Sequence, residues 1–387
     1  MNTDQLKNIF LSTYGEGEIA GYFSPGRVNL IGEHTDYNGG FVFPCALSFG
    51  TYCLIRKTTN AYFRFTSVNM DQKEQIPLDQ LSTPLAKGSW VNYPLGTIAQ
   101  FIKRGLNIPS GADILIYGNV PGGAGLSSSA ALEVVTAVAI NDQYNFGLAQ
   151  IELVKMSQIA EHEFAGVNCG IMDQFASGMG AKNRAIFLNC DTLDYELVPV
   201  ELDGVKIVIG NTNSPHSLDS GKYNERVAQC TAAVQAMQAF KSIKNLAELS
   251  LAEFEQAKHY ITDEVVKRRA RHVVTEIKRT TDAVSALKSG HLDLFGKLMN
   301  ASHDSLRDDY EVTGNELDAM VEEARKINGV IGSRMTGGGF GGSTVSLVKD
   351  EAVDTFIEQV GKKYEARTGL KPEFYVAEIG DGGHRLF

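Results

Sequence analysis

Short apolar runs and strict alternation dominate the first third of the chain. Residues 19–31 and 41–57 are predicted strands, the second β-rich through Phe41-Val42-Phe43 and Thr51-Tyr52-Cys53-Leu54-Ile55, and Asn38-Gly39-Gly40 between them suits a hairpin turn. Residues 62–69 alternate again, and Asp113-Ile114-Leu115-Ile116-Tyr117 predicts another strand, followed by a glycine loop and the helix former Ala130-Ala131-Leu132-Glu133-Val134-Val135. Over 149–165 an amphipathic helix is expected, with Ile151, Val154, Ile159 and Phe164 near helical spacing and Gly166 at the C-cap. Past residue 200 a short strand at 205–209 precedes helices over 222–239 and 263–288. A strand-and-glycine unit spans 334–348, and 373–377 is strand-like.

This mixture is neither a βαβαβ series nor all antiparallel, so the expected class is α+β. A chain of 387 residues is too long for one ordinary core, and two domains are expected, 1–200 and 201–387, with the boundary near 195–205. No Pro- or Ser-rich linker separates them, so close packing of the halves is expected, and no repeat of 20–50 residues is seen.

Composition narrows the function classes. Hydrophobic residues make up 43% and charged residues 21%, with a net charge of −10, a balance that disfavours nonspecific nucleic-acid binding while allowing a local anion site. Five scattered cysteines without CxxC spacing point to free thiols rather than a disulfide framework or zinc site. Neither a signal-peptide pattern at Met1–Lys7 nor an 18-residue apolar stretch is present, so a cytoplasmic protein is expected, with no membrane and no obligate protein partner. Oligomeric state is not legible.

Four segments carry chemistry. The first, Gly26-Arg27-Val28-Asn29-Leu30-Ile31-Gly32-Glu33-His34-Thr35-Asp36-Tyr37-Asn38, runs an apolar strand into a crowded polar loop. A regular strand would split these groups between two faces; a loop lets them converge on one small hydroxylated ligand, such as a sugar.

The second, Asn119 to Ala130, follows a strand and opens a helix. Its glycines admit a ligand without Cβ clashes, and helix-start N–H groups favour an anion, while a plain Gly/Ser turn with a serine N-cap reads equally well; the Walker A lysine is missing. The third, Arg334 to Thr344, formally contains GxGxxG at Gly337, Gly339 and Gly342, but a strand follows it, which rules out a dinucleotide fingerprint and leaves a glycine turn against another ligand-binding element or a simple hairpin. In the fourth, Asn168 to Gln174, Asp173 is either a helix cap or a buried functional carboxylate. Glu161, His162 and Glu163 on one helix are ordinarily surface. His259, His272 and His303 lack metal-ligand spacing, and Lys267-Arg268-Arg269-Ala270-Arg271 is expected on the solvated face of a helix.

Together these segments, in this order along the chain, resemble the galactokinases of the GHMP small-molecule kinase family. The resemblance implies a two-domain α+β fold with mixed or antiparallel sheets and the active site between the domains. It implies transfer of the γ-phosphoryl of ATP to the anomeric hydroxyl of galactose, with Mg²⁺ as cofactor; a kinase for N-acetylgalactosamine, arabinose or galacturonate, or a non-catalytic galactose sensor, are the alternatives. Glu33, His34, Thr35, Asp36, Gly170 and Tyr223 match sugar contacts. Gly123, Ala124, Gly125, Leu126, Ser127, Ser128 and Ser129 match the phosphate cradle, Ser67 and Trp90 nucleotide contacts, and Ser129 and Glu161 the Mg²⁺ ligands. Asp173 matches the catalytic carboxylate and Arg27 its cationic partner, which would keep that carboxylate ionised or stabilise the transferring phosphoryl group.

Overall fold

The computed structural model describes residues 1–214 and 220–387. Helix α1 (Thr3–Tyr14) leads into β1 (Ala20–Asn29), β2 (Phe41–Val42), β3 (Pro44–Lys57), β4 (Tyr62–Ser67) and β5 (Glu74–Pro77). Then come α2 (Asn92–Lys103), β6 (Ala112–Gly118), α3 (Ser128–Gln143), α4 (Gln150–Ala160), α5 (Met172–Met179), β7 (Arg184–Asn189) and β8 (Tyr195–Pro199). The second half holds β9 (Val205–Asn211), α6 (Ser220–Met237), α7 (Leu251–Ala257), α8 (Glu264–Lys288), α9 (Leu292–Ser305) and α10 (Gly314–Ala324). It closes with β10 (Val330–Thr336), β11 (Ser343–Lys349), α11 (Val353–Thr368), β12 (Glu373–Ala377) and β13 (His384–Arg385).

Among the described residues three sheets form, with strand orders β13-β1-β3-β6-β4-β5, β10-β11-β9-β12 and β2-β7-β8. All pairings are antiparallel except β4 with β6. Alternation explains the layering of the first sheet. Cys53, Ile55, Phe63, Phe65, Ile114 and Ile116 face Leu95, Ile98, Val135, Ile140, Leu153 and Met156 on α2, α3 and α4. Leu54 and Leu115 point the other way, onto Leu6 and Phe10 of α1. Every residue of β1 is buried, because it is an interior strand covered on both faces.

A second core runs between the halves: Val28, Leu30, Ile31 and Phe43 pack with Ile207, Ile209, Val345, Leu347, Phe295 and Met299. Each such fully buried side chain contributes roughly 1.5–3 kcal/mol, so the halves are joined by a substantial apolar interface, as the missing linker suggested. The tail then crosses back. Tyr22 pairs with Arg385 and Phe23 with His384, which puts β13 on the first sheet.

Several local expectations change. The 149–165 helix becomes α4 followed by a π-turn, Glu161–Ala165, capped by Gly166 at φ +74°. Ile159 is 38% exposed, and the buried face is instead Leu153, Val154, Met156 and Ala160. Arg269 is not solvated: it is buried and bonds the Asp309 carbonyl, Gln229 and Glu311, because α8 packs against α6 and the 306–310 turn. His272 and His303 are core residues, hydrogen-bonded to Ser305 and to the Met335 amide. All five cysteines are free, and among the described residues no helix is long and apolar enough to cross a membrane.

Candidate active site

Arg27 is the hub. Its register partner shifts between Pro25 and Arg27, a local irregularity in the β1–β3 ladder. The guanidinium grips Asp173 bidentately, Nε to Oδ1 at 2.8 Å and Nη2 to Oδ2 at 2.9 Å, while Nη1 donates to the Gly125 carbonyl at 2.8 Å. One buried arginine therefore joins β1, the first glycine loop and the first turn of α5. Gly26 makes this approach possible, since a Cβ there would lie 2.6 Å from the Leu126 carbonyl oxygen. Asp173 is not a cap: it lies inside α5 and its carboxylate faces Arg27.

The loop between β6 and α3 turns through Gly123 and Gly125, both at positive φ, and Ser127 adopts φ +61°. Space above Gly122 and Gly123 is open. Ser127 does not cap α3; its hydroxyl donates to Asp173 Oδ2 at 2.6 Å. Ala124 and Leu126 are buried in the core that joins the halves, Ser128 is exposed and Ser129 half-buried. Glu161 is 7% exposed and so not a surface residue, and the nearby Ser129 hydroxyl favours its ionised form. Gln174 Nε2 reaches Glu161 Oε2 at 2.5 Å and Glu133 Oε2 at 3.0 Å. Burial, then the Asp173 charge, pushes the Glu161 carboxyl up to about 7, and burial raises Glu133 well above the carboxylate range.

The polar groups of the loop after β1 are held by separate protein partners. Glu33 is buried, and its Oε1 accepts from the Gly337 amide at 2.7 Å and Arg334 Nη1 at 3.4 Å. Thr35 is fully buried, its hydroxyl within reach of the Gly32 and Phe41 carbonyls, so it closes the loop and presents nothing outward. His34 has both ring nitrogens engaged by protein, at Tyr37 Oη and the Gly338 carbonyl. Asp36 opens a short 3₁₀ turn, and its carboxylate fills the space that Gly170 leaves: a Cβ on Gly170 would sit 1.9 Å from Oδ2. Burial, then Asp173, pushes Asp36 up to about 7. Tyr223 stands beside the loop, its ring 5.8 Å from His34 and 5.5 Å from Tyr37.

The second glycine loop, between β10 and β11, meets the first at this hub. A Cβ on Gly337 would approach the Gly125 carbonyl at 3.1 Å and Arg27 at 3.7 Å, and Ser343 Oγ donates to the Ala124 carbonyl at 2.7 Å. Ser67 and Trp90 lie to one side. Ser67 pairs with Ile116 and accepts from the Asn69 amide, and Trp90 packs in the core with Nε1 on the Gln72 carbonyl.

Three residues escaped sequence reasoning. Arg334 pairs with Glu33 from the other half of the chain, so nothing local announced it. Gln174 was visible beside Asp173 without a role. Glu133 did carry a signal, being an acid inside an apolar helical run. The site can thus present a paired carboxylate and, at a helix start, a glycine loop open above Gly122 and Gly123.

Comparison with known proteins bears on all of these elements. Residues 92–181 match the GHMP kinases N terminal domain, 8–57 the galactokinase galactose-binding signature, and 283–366 the GHMP kinases C terminal domain. The chain is 55% identical to galactokinase of Fusobacterium nucleatum, over 96% of each chain. It is 51% identical to that of Clostridium acetobutylicum, over 100% of this chain and 98% of the other. The structure of Lactococcus lactis galactokinase complexed with galactose superposes with a TM-score of 0.97 at 45% identity, covering 99% of both chains. A mevalonate kinase at 20% identity and a TM-score of 0.67, covering 94% of this chain and 100% of that one, shares the fold. A galactose-binding signature that spans β1 and the polar loop after it, with galactokinase relatives at 51% and 55% identity over nearly the whole chain, shows that the chain belongs to the galactokinases of the GHMP kinase family.

Proposed function

We propose that the chain transfers the γ-phosphoryl group of ATP to the anomeric hydroxyl of D-galactose, giving α-D-galactose 1-phosphate and ADP. The observation that carries this reading is Arg27, which holds the Asp173 carboxylate and the Gly125 carbonyl at once. The proton acceptor and the phosphate loop are thereby fixed within one side chain's reach.

Phosphoryl transfer depends mainly on positioning and charge neutralisation. The anomeric hydroxyl loses its proton as its oxygen bonds phosphorus and the bond to the ADP oxygen breaks. Asp173 takes that proton. Its Oδ2 already accepts from Arg27 Nη2 and Ser127, whereas Oδ1 accepts only from Arg27 Nε. A carboxylate oxygen has two acceptor sites, so Oδ1 is the proton's destination. The amides of the loop Gly123 to Ser129 hold the phosphates. On the sugar side, Asp36, Glu33, Tyr223 and Gly170 form the pocket wall. Ser67, on the strand bordering the root of the glycine loop, belongs to the nucleotide side, and Trp90 backs that wall.

Ser129 and Glu161 fit Mg²⁺: they bring a hydroxyl and a carboxylate together, hard oxygen donors of the kind that take this ion jointly with phosphates. Bound there, Mg²⁺ supplies neutralisation of charge on the nucleotide's phosphate oxygens. Gln174 orients Glu161 toward the loop. The halves divide near residue 200, with the tail from β13 belonging to the first half. Free cysteines support a reducing, cytoplasmic setting.

An ADP-release assay over galactose, N-acetylgalactosamine, arabinose and galacturonate tests this. Turnover with galactose and Mg-ATP is expected, and an Asp173→Asn variant should bind galactose by calorimetry without releasing ADP. Turnover only with another sugar would overturn the substrate, and binding of both ligands without ADP in the wild type would make the protein a sensor.

A further inference from the structure

Gly32 and Glu33 open the polar loop after β1, and neither belongs to a strand. Gly32 stands at φ +99°, where only glycine is at ease, so its own backbone does little to fix the direction in which Glu33 leaves. The hold comes from α8, in the other half of the chain. Glu276 Oε1 accepts from the Gly32 amide at 3.0 Å, and His272 Nε2 lies 3.1 Å from the Glu33 carbonyl oxygen. That oxygen only accepts, so Nε2 carries the hydrogen and donates it. An amide before Glu33 and its own carbonyl are thus pinned by two side chains one helical turn apart, at i and i+4.

Both pins are themselves fixed. Glu276 is fully buried; its Oε1 also accepts from Ser302 Oγ at 2.6 Å, and its Oε2 accepts from Arg279 Nε at 2.7 Å. Burial alone would raise its carboxyl, but the Arg279 charge outweighs burial and holds it down at about 2, so it stays an acceptor. His272 is fully buried as well, with Ser305 Oγ 2.9 Å from Nδ1 and the Tyr310 ring 4.5 Å from its own. Burial pushes this imidazole down to about 4, so it is neutral. Glycines let the helix come close. A Cβ on Gly32 would lie 3.0 Å from Thr280 Oγ1, and one on Gly40 would lie 2.7 Å from Ile277 Cγ1.

We propose that His272 and Glu276 are positioning residues for the sugar: from α8 they pin the backbone on both sides of the Glu33 side chain and thereby set the direction of its carboxylate. Each acts through Glu33, whose Oε1 also accepts from the Gly337 amide. Removing a pin returns freedom to Gly32, the residue type with most to regain, so the cost falls on the sugar and not on ATP. The effect on the sugar rests on the galactokinase reading; the grip on Gly32 and Glu33 does not.

Kinetics of two full-chain variants test it. His272→Leu, which has no donor, should raise KM for galactose about 5- to 10-fold, with kcat and KM for ATP within about twofold. His272→Gln, whose amide can donate from where Nε2 stood, should stay within about twofold of wild type in all three. Equal KM for galactose in the two folded variants, or a rise in KM for ATP as large as that for galactose, overturns the proposal. The Glu276 pin is read by hydrogen exchange in the ligand-free wild type. There the Gly32 amide, outside any strand, should exchange about a thousandfold more slowly than in an unfolded chain, and fast exchange overturns the proposal. That measurement needs neither a folded variant nor a sugar, so it stands if another sugar proves to be the substrate, and the same KM split is then expected with that sugar.

Discussion

Three donors converge on the carboxylate of Asp173, two from Arg27 and one from Ser127. Ser127 was legible as a member of a glycine–serine loop, and its motif could not say that its hydroxyl turns away from the cradle. That depends on φ +61° at its own backbone and on α5 arriving from 46 residues downstream. The orientation has a measurable consequence. Losing one such hydrogen bond costs about 1 kcal/mol, or roughly a fivefold effect. Ser127→Ala should therefore lower kcat about 5- to 10-fold with little change in ADP affinity, measured by calorimetry beside steady-state kinetics. A fall in ADP affinity with kcat intact would return Ser127 to the phosphates.

At the scale of elements, strands and helices were readable because burial imposes period 2 or 3.6 on the side chains facing the core. Loop-to-loop packing was not. The turn at Asp36–Asn38 presses the Asp36 carboxylate into the vacancy at Gly170, and burial, then the Asp173 charge, pushes it up to about 7. The folded ligand-free protein then retains a proton that the unfolded chain releases near pH 4, so this group's stabilisation is complete below that value and is lost as pH rises to about 7. Asp36→Asn removes the loss. Between pH 5 and pH 8 the wild-type Tm should fall relative to this variant by about 2–5 °C, checked by calorimetry without ligands; parallel curves would show that Asp36 is ionised throughout. Arg269 illustrates the same limit, since a basic run on a helix looks solvated until another helix and a turn cover it.

Across the whole molecule, the tail is the feature least visible beforehand. The Leu386 amide donates to the Gly21 carbonyl at 2.8 Å, and the Phe387 ring lies over Gly21 with Lys7 Nζ 3.7 Å from its centroid. Deleting His384–Phe387 should cost about 2 kcal/mol, seen as a lower urea midpoint, with both KM values unchanged. An unaltered midpoint would mean that the tail only decorates the first sheet.

The amino-acid sequence by itself determined the α+β class, most strands and helices, the two glycine loops and the crowded Glu-His-Thr-Asp loop, because each is a local pattern of periodicity or of residues that only a turn tolerates. Which distant partners those polar groups meet was decided by the tertiary structure alone. Arg27 meets Asp173 across 146 residues and Glu33 meets Gly337 across 304. A side chain's role in a buried site depends on which distant donors and acceptors have already claimed its atoms.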